Sequence, residues 1–230
     1  MVQVMDESEH LFKKMSNGSI LFKKKHDPMI YSESEYFGSE IYNEDKKNIV
    51  SNQKNPVQIL GKFQGDWLDD LDTAISLAIL EEYTYQRNHP DLLYTVNLNQ
   101  HPGRMTKLEK MSEILGFESG AHCKIQMQRP GCVVRRHEDP IEIFKNEKGD
   151  TYIRVLITLS HWEYGQILCF NNTILSEWEP GTIFYVDYCN TQHFTANCSW
   201  HTRPILLITG KASDHLKHNI INANYKTFDI

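Results

Sequence analysis

The segment Ala121–Asp139, AHCKIQMQRPGCVVRRHED, is where the texture of the chain changes. Two short β-prone runs, His122–Gln128 and Cys132–His137, are separated by the turn Arg129-Pro130-Gly131. The same texture continues downstream. Strands are expected at Tyr152–Ser160, Gln166–Phe170, Thr173–Trp178, Thr182–Val186, Gln192–Asn197 and Arg203–Thr209. Turns are expected at Lys148-Gly149-Asp150, Asn171-Asn172 and Glu179-Pro180-Gly181. Eight short strands behind two helices predict a mostly β fold with flanking helices: a double-stranded β-helix, or jelly-roll/cupin-like barrel. The barrel is assigned to residues 121–212, with 213–230 as a C-terminal tail.

Residues 1–120 read as an N-terminal extension, with edge strands and two supporting helices packed on the barrel. The first 60 residues are polar, with short apolar patches such as Ser19-Ile20-Leu21-Phe22. The echo between Leu11-Phe12-Lys13-Lys14 and Leu21-Phe22-Lys23-Lys24 is too short for a structural repeat. A first helix is expected from Asp66 to Gln86, with Asp69, Asp70 and Asp72 near the positive end of its dipole. Its core stripe would be Trp67, Leu71, Ile75, Ala78 and Ile79. A second helix, Thr106 to Leu115, closes at Gly116 and aligns Leu108, Met111 and Leu115.

Composition narrows the class. A 230-residue chain, 40% hydrophobic and 23% charged, is long enough for one ordinary soluble domain. A net charge of -6 argues against a dedicated nucleic-acid binder. Five cysteines without CxxC spacing, and an N-terminus without the apolar core of a signal peptide, predict reduced thiols in a cytoplasmic protein. No apolar run approaches the length of a membrane span.

The candidate chemistry sits in His137-Glu138-Asp139 and the distant His193. In extended backbone His137 and Asp139 point to one side and Glu138 to the other, which selects Asp139 as the acid. Two imidazoles and one carboxylate form the facial set that grips ferrous iron and leaves positions open for O2 and a co-substrate. His-x-acid pairs alone are weak signals, and His89-Pro90-Asp91 and His161-Trp162-Glu163 also occur here. His89 precedes a proline and His161 begins a turn, so neither suits a barrel strand. His201 rivals His193, but it stands two residues from Arg203. Arg203 opens the apolar strand Arg203-Pro204-Ile205-Leu206-Leu207-Ile208-Thr209-Gly210 and offers a planar fork for a carboxylate. Alternation puts Arg135 on the face of His137, where it either reaches into the pocket to attract an anionic substrate or stands on a solvated strand edge. Trp162, Trp178 and Trp200 read as core or rim aromatics.

These residues resemble the 2-oxoglutarate/Fe(II)-dependent oxygenases. The resemblance covers roughly Cys123 to Gly210: Pro130-Gly131 leading to His137-x-Asp139, the Pro180-Gly181 turn, and His193-x-x-x-Asn197 followed by Arg203. Within that superfamily it is most like the aspartyl/asparaginyl β-hydroxylase-like and small proline-hydroxylase branch, which includes phage-encoded members. The resemblance implies Fe(II) on His137, Asp139 and His193, and 2-oxoglutarate on Arg203, with Arg154 as a further contact to co-substrate or substrate and Asn197 either holding the distal-histidine strand in place or approaching the cofactor site. It implies a hydroxylase of an amino acid, a peptide residue or a small metabolite, working in the cytoplasm (the host cytoplasm if phage-encoded). The branch that repairs nucleic acids carries a second Arg six residues after the first. Here that position is Thr209.

Two other classes stay open. A cupin-type isomerase, dioxygenase or sensor would use metal without 2-oxoglutarate, and a non-enzymatic jelly-roll binding module would need neither. Residues Tyr185, Asp187 and Gln126 are candidates for fixing the imidazole tautomers.

Overall fold

The computed structural model describes residues 11–14, 20–23, 57–85, 93–139, 152–188, 191–222 and 225–230. The chain divides into two units, Met1–Gln53 and Lys54–Ile230. In the first, β1 (Leu11–Lys14) and β2 (Ile20–Lys23) pair antiparallel, Leu11 opposite Lys23. The second runs β3 (Val57–Gln64), α1 (Leu68–Tyr85), β4 (Leu93–Asn97), α2 (Thr106–Leu115), β5 (His122–Gln128), β6 (Val133–His137) and β7 (Ile153–Thr158). It continues with β8 (Gln166–Phe170), β9 (Thr173–Leu175), β10 (Thr182–Val186), β11 (His193–Asn197), β12 (Arg203–Gly210), α3 (Asp214–Asn222) and β13 (Lys226–Asp229).

The strands from β5 onward alternate between two sheets. One sheet has the order β13-β3-β10-β7-β12-β5-β4 and the other β6-β11-β8-β9. Thus β5, β7, β10 and β12 lie in the first, while β6, β8, β9 and β11 lie in the second. This winding of eight strands back and forth between facing sheets is the double-stranded β-helix anticipated from the turn spacing. Strands from outside 121–212 extend the larger sheet. β4 pairs antiparallel with β5, β3 with β10, and β13 adds in parallel to β3. The segment read as a tail therefore carries α3 and β13.

Two apolar cores follow from strand alternation. Between the sheets lie Leu156, Leu168, Phe170, Phe184, Ile205 and Leu207. On the other face of the larger sheet, Phe63, Ile125 and Ile208 meet Trp67, Leu108 and Met111 from the helical layer. The helices fall close to the expected bounds, and α2 ends at Gly116 in the left-handed conformation. The stripe on α1 differs at Ile75, and the side chain of Ile79 lies outside the described residues. Leu71, Ala74, Leu77 and Ala78 are buried behind Trp67, whereas Ile75 is exposed. Ala74, three residues past Leu71, continues the stripe, and Ile75 falls outside it. Asp70 is buried and caps α2, its Oδ2 accepting from the backbone of Lys107 at 2.8 Å and Leu108 at 3.0 Å.

The expected strand Thr173–Trp178 stops at Leu175, and Trp178 instead anchors a turn through its carbonyl, which accepts from Trp162 N at 3.2 Å. The expected turn at Lys148-Gly149-Asp150 and the pair His89-Pro90-Asp91 lie outside the described residues. No helix among the described residues is long and apolar enough to cross a membrane.

The turn Glu179-Pro180-Gly181 locks β3, β7 and β10 together. Gly181 N donates to Thr158 O at 2.6 Å, and Gly181 O accepts from Phe63 N at 2.9 Å. Its φ is 82°, and a Cβ there would stand 2.2 Å from Phe63 O. Gly181→Ala is expected to lower stability by roughly 1–3 kcal/mol from the strained φ alone. Gly103→Ala, at φ 75° with open space at its Cβ, carries the φ cost alone, so a denaturant midpoint that falls clearly further for Gly181→Ala than for Gly103→Ala isolates the steric part, and equal shifts would contradict it.

Candidate metal centre

β6 and β11 pair antiparallel in the smaller sheet, and His137 and His193 are direct partners. A bulge makes them so. Below it, Thr195 pairs with Val134 and Ala196 with Val133, so the residue numbers sum to 329. At the histidines the sum is 330, because Arg135 and Arg136 together oppose the single residue Phe194. Without this extra residue His193 would face Arg136. A bulge re-aims side chains in this way, and here it turns His137 toward His193 with ring centroids 4.2 Å apart. It also breaks the strict alternation from which Arg135 was expected to share the face of His137. Arg135 is exposed.

Asp139 follows two residues beyond β6 and completes the cluster. Its Oδ1 lies 3.6 Å from His137 Nε2 and 3.9 Å from His193 Nε2. Asp139 and His193 are nearly buried, while the His137 side chain is 42% exposed, so the cluster opens to solvent on the His137 side. Among the described residues these three side chains form the group whose ligand atoms lie close enough to share one metal ion.

Both imidazoles are oriented by the same device. His137 Nδ1 is 2.7 Å from Arg135 O, and His193 Nδ1 is 3.0 Å from Thr191 O. A carbonyl oxygen only accepts, so each Nδ1 carries a proton, and each Nε2, turned toward Asp139, is the ring nitrogen left for a metal. The tautomer-fixing role considered for Tyr185, Asp187 or Gln126 is thus filled by the backbone two residues upstream. The Asp139 carboxylate, more than any other group, raises the pKa of His137, whereas burial lowers that of His193. Burial acts to raise the Asp139 pKa, but His137, Arg154 and His193 together bring it below the ordinary value.

Arg154, for which a contact to co-substrate was expected, lies against Asp139. Its Nη1 bonds Asp139 Oδ2, and its Nε donates to Thr209 Oγ1 at 2.8 Å. Thr209 is the cross-strand partner of Arg154 between β12 and β7. Position 209, where a second Arg would mark another branch, here steadies the guanidinium that orients the carboxylate. Tyr188, which no pattern singled out, packs edge-on to His193 at 4.8 Å and lies under Arg154 at 5.0 Å. Burial raises its pKa well above the usual range, so it stays a phenol.

Deeper in the barrel, Arg203 is 2% exposed. Its Nη1 donates to Ile167 O at 2.9 Å, and its Nη2 bonds Gln128 Oε1 and Thr195 Oγ1. Every one of these partners is neutral, and burial pulls the pKa of the guanidinium down. Arg203 Nε is buried with no acceptor among the described residues, as is Trp178 Nε1, and Arg203 Cζ lies 5.9 Å from the Trp178 ring. A desolvated cation without a counter-charge is destabilising by several kcal/mol. A carboxylate ligand is the group that would offset this. The donors present therefore fit both a divalent metal at the His-Asp-His cluster and a carboxylate at Arg203.

Asn197 takes up the structural role of the two considered for it. Nδ2 donates to Gln128 O at 2.7 Å and His201 O at 2.9 Å, and Oδ1 accepts from Ser199 N and Oγ at 3.1 and 2.7 Å. All its capacity goes to tying the end of β11 to β5 and to the following turn. His201 is a surface residue paired with Glu163 at 2.8 Å, apart from the cluster. His161 is exposed, and His89 lies outside the described residues. A cavity of about 560 Å³ lies on the opposite face of β5, bordered by Leu98, Pro102, Glu109, Phe117 and Cys123. None of the cluster residues borders it, and the Glu109 carboxylate is spent on the backbone of Gly103 and Met105.

No protein-family model matches the sequence, and no curated protein matches it. Among solved structures the chain is similar to a viral collagen prolyl hydroxylase from Paramecium bursaria Chlorella virus-1 in a 2-oxoglutarate complex. The identity is 14%, covering 72% of this chain and 99% of that one, with a TM-score of 0.45. It is also similar to a Trichoplax adhaerens prolyl hydroxylase in complex with a hypoxia inducible factor peptide fragment. There the identity is 15%, the coverage 76% and 93%, and the TM-score 0.47. A Cupin 2 conserved barrel domain protein from Salinispora arenicola shares 10% identity over 56% of this chain and 84% of that one, with a TM-score of 0.33. At these identities the likeness is one of fold.

Because Arg154 holds the carboxylate of the cluster, Arg154→Met is expected to weaken Mn(II) binding about 10- to 100-fold. Isothermal titration of the purified protein measures this, and an affinity equal to wild type would remove Arg154 from the cluster's support.

Proposed function

We propose that this protein is a 2-oxoglutarate- and Fe(II)-dependent oxygenase that hydroxylates an amino acid, a peptide residue or a small metabolite. In this reading His137, Asp139 and His193 hold the iron and Arg203 receives the far carboxylate of 2-oxoglutarate. The observation that carries it is a buried guanidinium with only neutral partners in the same barrel as two imidazoles and a carboxylate with converging ligand atoms. Iron and 2-oxoglutarate bound here would supply the oxidation, coupling reduction of O2 and loss of CO2 from the co-substrate to hydroxylation of the substrate.

The chain's own residues do the rest. Nδ1–H bonds to Arg135 O and Thr191 O hold both Nε2 atoms free for metal. Asp139 neutralises part of the metal charge while Arg154 fixes its second oxygen. Phe170 and Tyr188 pack around His193 and keep that side of the site dry. The four described cysteines are free thiols, which suits a reducing cytoplasm.

A metal-binding barrel of cupin type that does not use 2-oxoglutarate is the competing reading. Its support is that both Nη atoms of Arg203 already have protein acceptors. Asn197, with all its bonds inside the protein, is assigned to support of the distal-histidine strand rather than to the co-substrate.

One titration separates the readings. Anaerobic Fe(II) protein with 2-oxoglutarate is expected to give the weak visible charge-transfer band of a metal-chelated keto acid. His137→Ala should abolish the band, and Arg203→Ala should need at least about tenfold more 2-oxoglutarate, given what loss of one partner of a buried charge pair costs. Iron binding with no band favours the cupin reading, and no metal binding at all would overturn both.

A further inference from the structure

The strand that faces Arg203 and Arg154 across the larger sheet carries an unexplained polar column. Along β5, Cys123, Ile125 and Met127 are buried on the helix-covered face. The alternate residues His122, Lys124, Gln126 and Gln128 therefore face the barrel interior. Register sets their depth. His122 pairs with Thr209, which pairs with Arg154, the residue bound to Asp139. Lys124 pairs with Leu207, which pairs with Leu156, so Lys124 lies one pleat further in, against the inner core. Gln128 is paired and bonded to Arg203.

Two of these four side chains have partners. Gln128 is bonded to Arg203, Cys132 and Thr195. His122 Nε2 meets Asn97 Nδ2 at 3.0 Å. Gln126 is uncharged. Lys124 is half-buried and charged, and among the described residues no hydrogen bond or ion pair engages its ammonium. Burial first, and then the charge of Arg154, lower its pKa, with Asp139 acting in the opposite sense. Arg154 has Asp139 as its own anion, so the column holds one cation more than it holds anions.

A half-buried lysine without an acceptor among the described residues, turned to the barrel interior one pleat from the Thr209–Arg154 row that holds Asp139, is poorly placed for stability and well placed for a ligand. Resting on the oxygenase reading, we propose that the substrate is a carboxylate and that Lys124 binds its anionic group, setting which carbon faces the metal. A single compact ammonium matches a monoanionic carboxylate; a phosphate would call for the several converging donors that this column lacks. The overall charge of -6 makes this local cation the feature that would draw an anion into an otherwise acidic protein.

The test uses wild type, Lys124→Met and Lys124→Arg, each loaded anaerobically with Fe(II) and 2-oxoglutarate. The probes are free amino acids and hydroxy acids, each beside its own carboxamide. Two readouts are taken: displacement of the charge-transfer band on probe binding, and succinate release after admission of air. Carboxylates that displace the wild-type band should do so at concentrations at least about tenfold lower than their carboxamides. Lys124→Met should raise the carboxylate concentration needed by a similar factor and leave the 2-oxoglutarate requirement within twofold, and Lys124→Arg should recover part of the loss.

The inference is overturned if carboxamides match carboxylates, if Lys124→Met shifts the 2-oxoglutarate requirement instead, or if no probe responds in a Lys124-dependent way. Those failures occur with the band present. Absence of the band in wild type is the separate result that removes the oxygenase reading and this inference with it. Circular dichroism melting of Lys124→Met checks that the variant is folded.

Discussion

The centre of this protein depends on one antiparallel pair, His137 against His193, and on the bulge that creates it. Directly opposed residues on neighbouring strands bring their side chains within contact distance. Two imidazoles there, each tethered by its Nδ1 to the backbone two residues upstream, turn their Nε2 atoms to the same point. Asp139 arrives because the chain leaves β6 immediately after His137, and Arg154 and Thr209 reach it from the other sheet. The cluster is thus a junction of both sheets. Anything that shifts β6 by one residue against β11 exchanges His137 for Arg136 or Glu138 and dismantles it.

Around that junction the barrel departs from the rule that interiors are apolar. The helix-facing core is hydrophobic throughout, with Phe63, Met111, Ile125 and Ile208 among its wholly buried members. The inner space between the sheets admits Arg154, Arg203, Gln128, Asn197 and Lys124. Asn197 and Gln128 satisfy one another's neighbours and hold the ends of β5, β11 and β12 in place. Among the described residues Arg203 and Lys124 have no anion of their own. A fold tolerates such charges where a ligand completes them, and the stability they withhold is recovered on binding.

Much of the fold was legible because turns are chemically explicit. Pro130-Gly131 and Pro180-Gly181 mark strand ends, and each short β-branched run between turn signals became a strand of the barrel. The exceptions have local causes. Trp178 ends β9 early by turning its carbonyl to Trp162, and Ile75 sits one helical step outside the stripe that Ala74 continues. The cluster of His137, Asp139 and His193 was readable from spacing, since residue types on a strand alternate. The bulge was not, because one inserted residue leaves no compositional mark, and so Arg135 was assigned to the wrong face. Tyr188 and the occupations of Arg154 and Asn197 depend on partners distant in sequence. Lys124 had a signal that was overlooked: a strand alternating apolar with polar residues inside a barrel covered on both faces has its polar side turned to a site.

The central claim is that one metal ion and one dicarboxylate share this barrel. A crystal structure of the anaerobic Mn(II) and 2-oxoglutarate complex, with anomalous scattering used to locate the metal, tests it most directly. The account predicts a single manganese peak bonded to His137 Nε2, Asp139 and His193 Nε2, with the keto-acid end of 2-oxoglutarate on the metal and its far carboxylate against Arg203. Manganese at any other site, or a metal at the cluster with the Arg203 guanidinium still bonded only to protein, would contradict it.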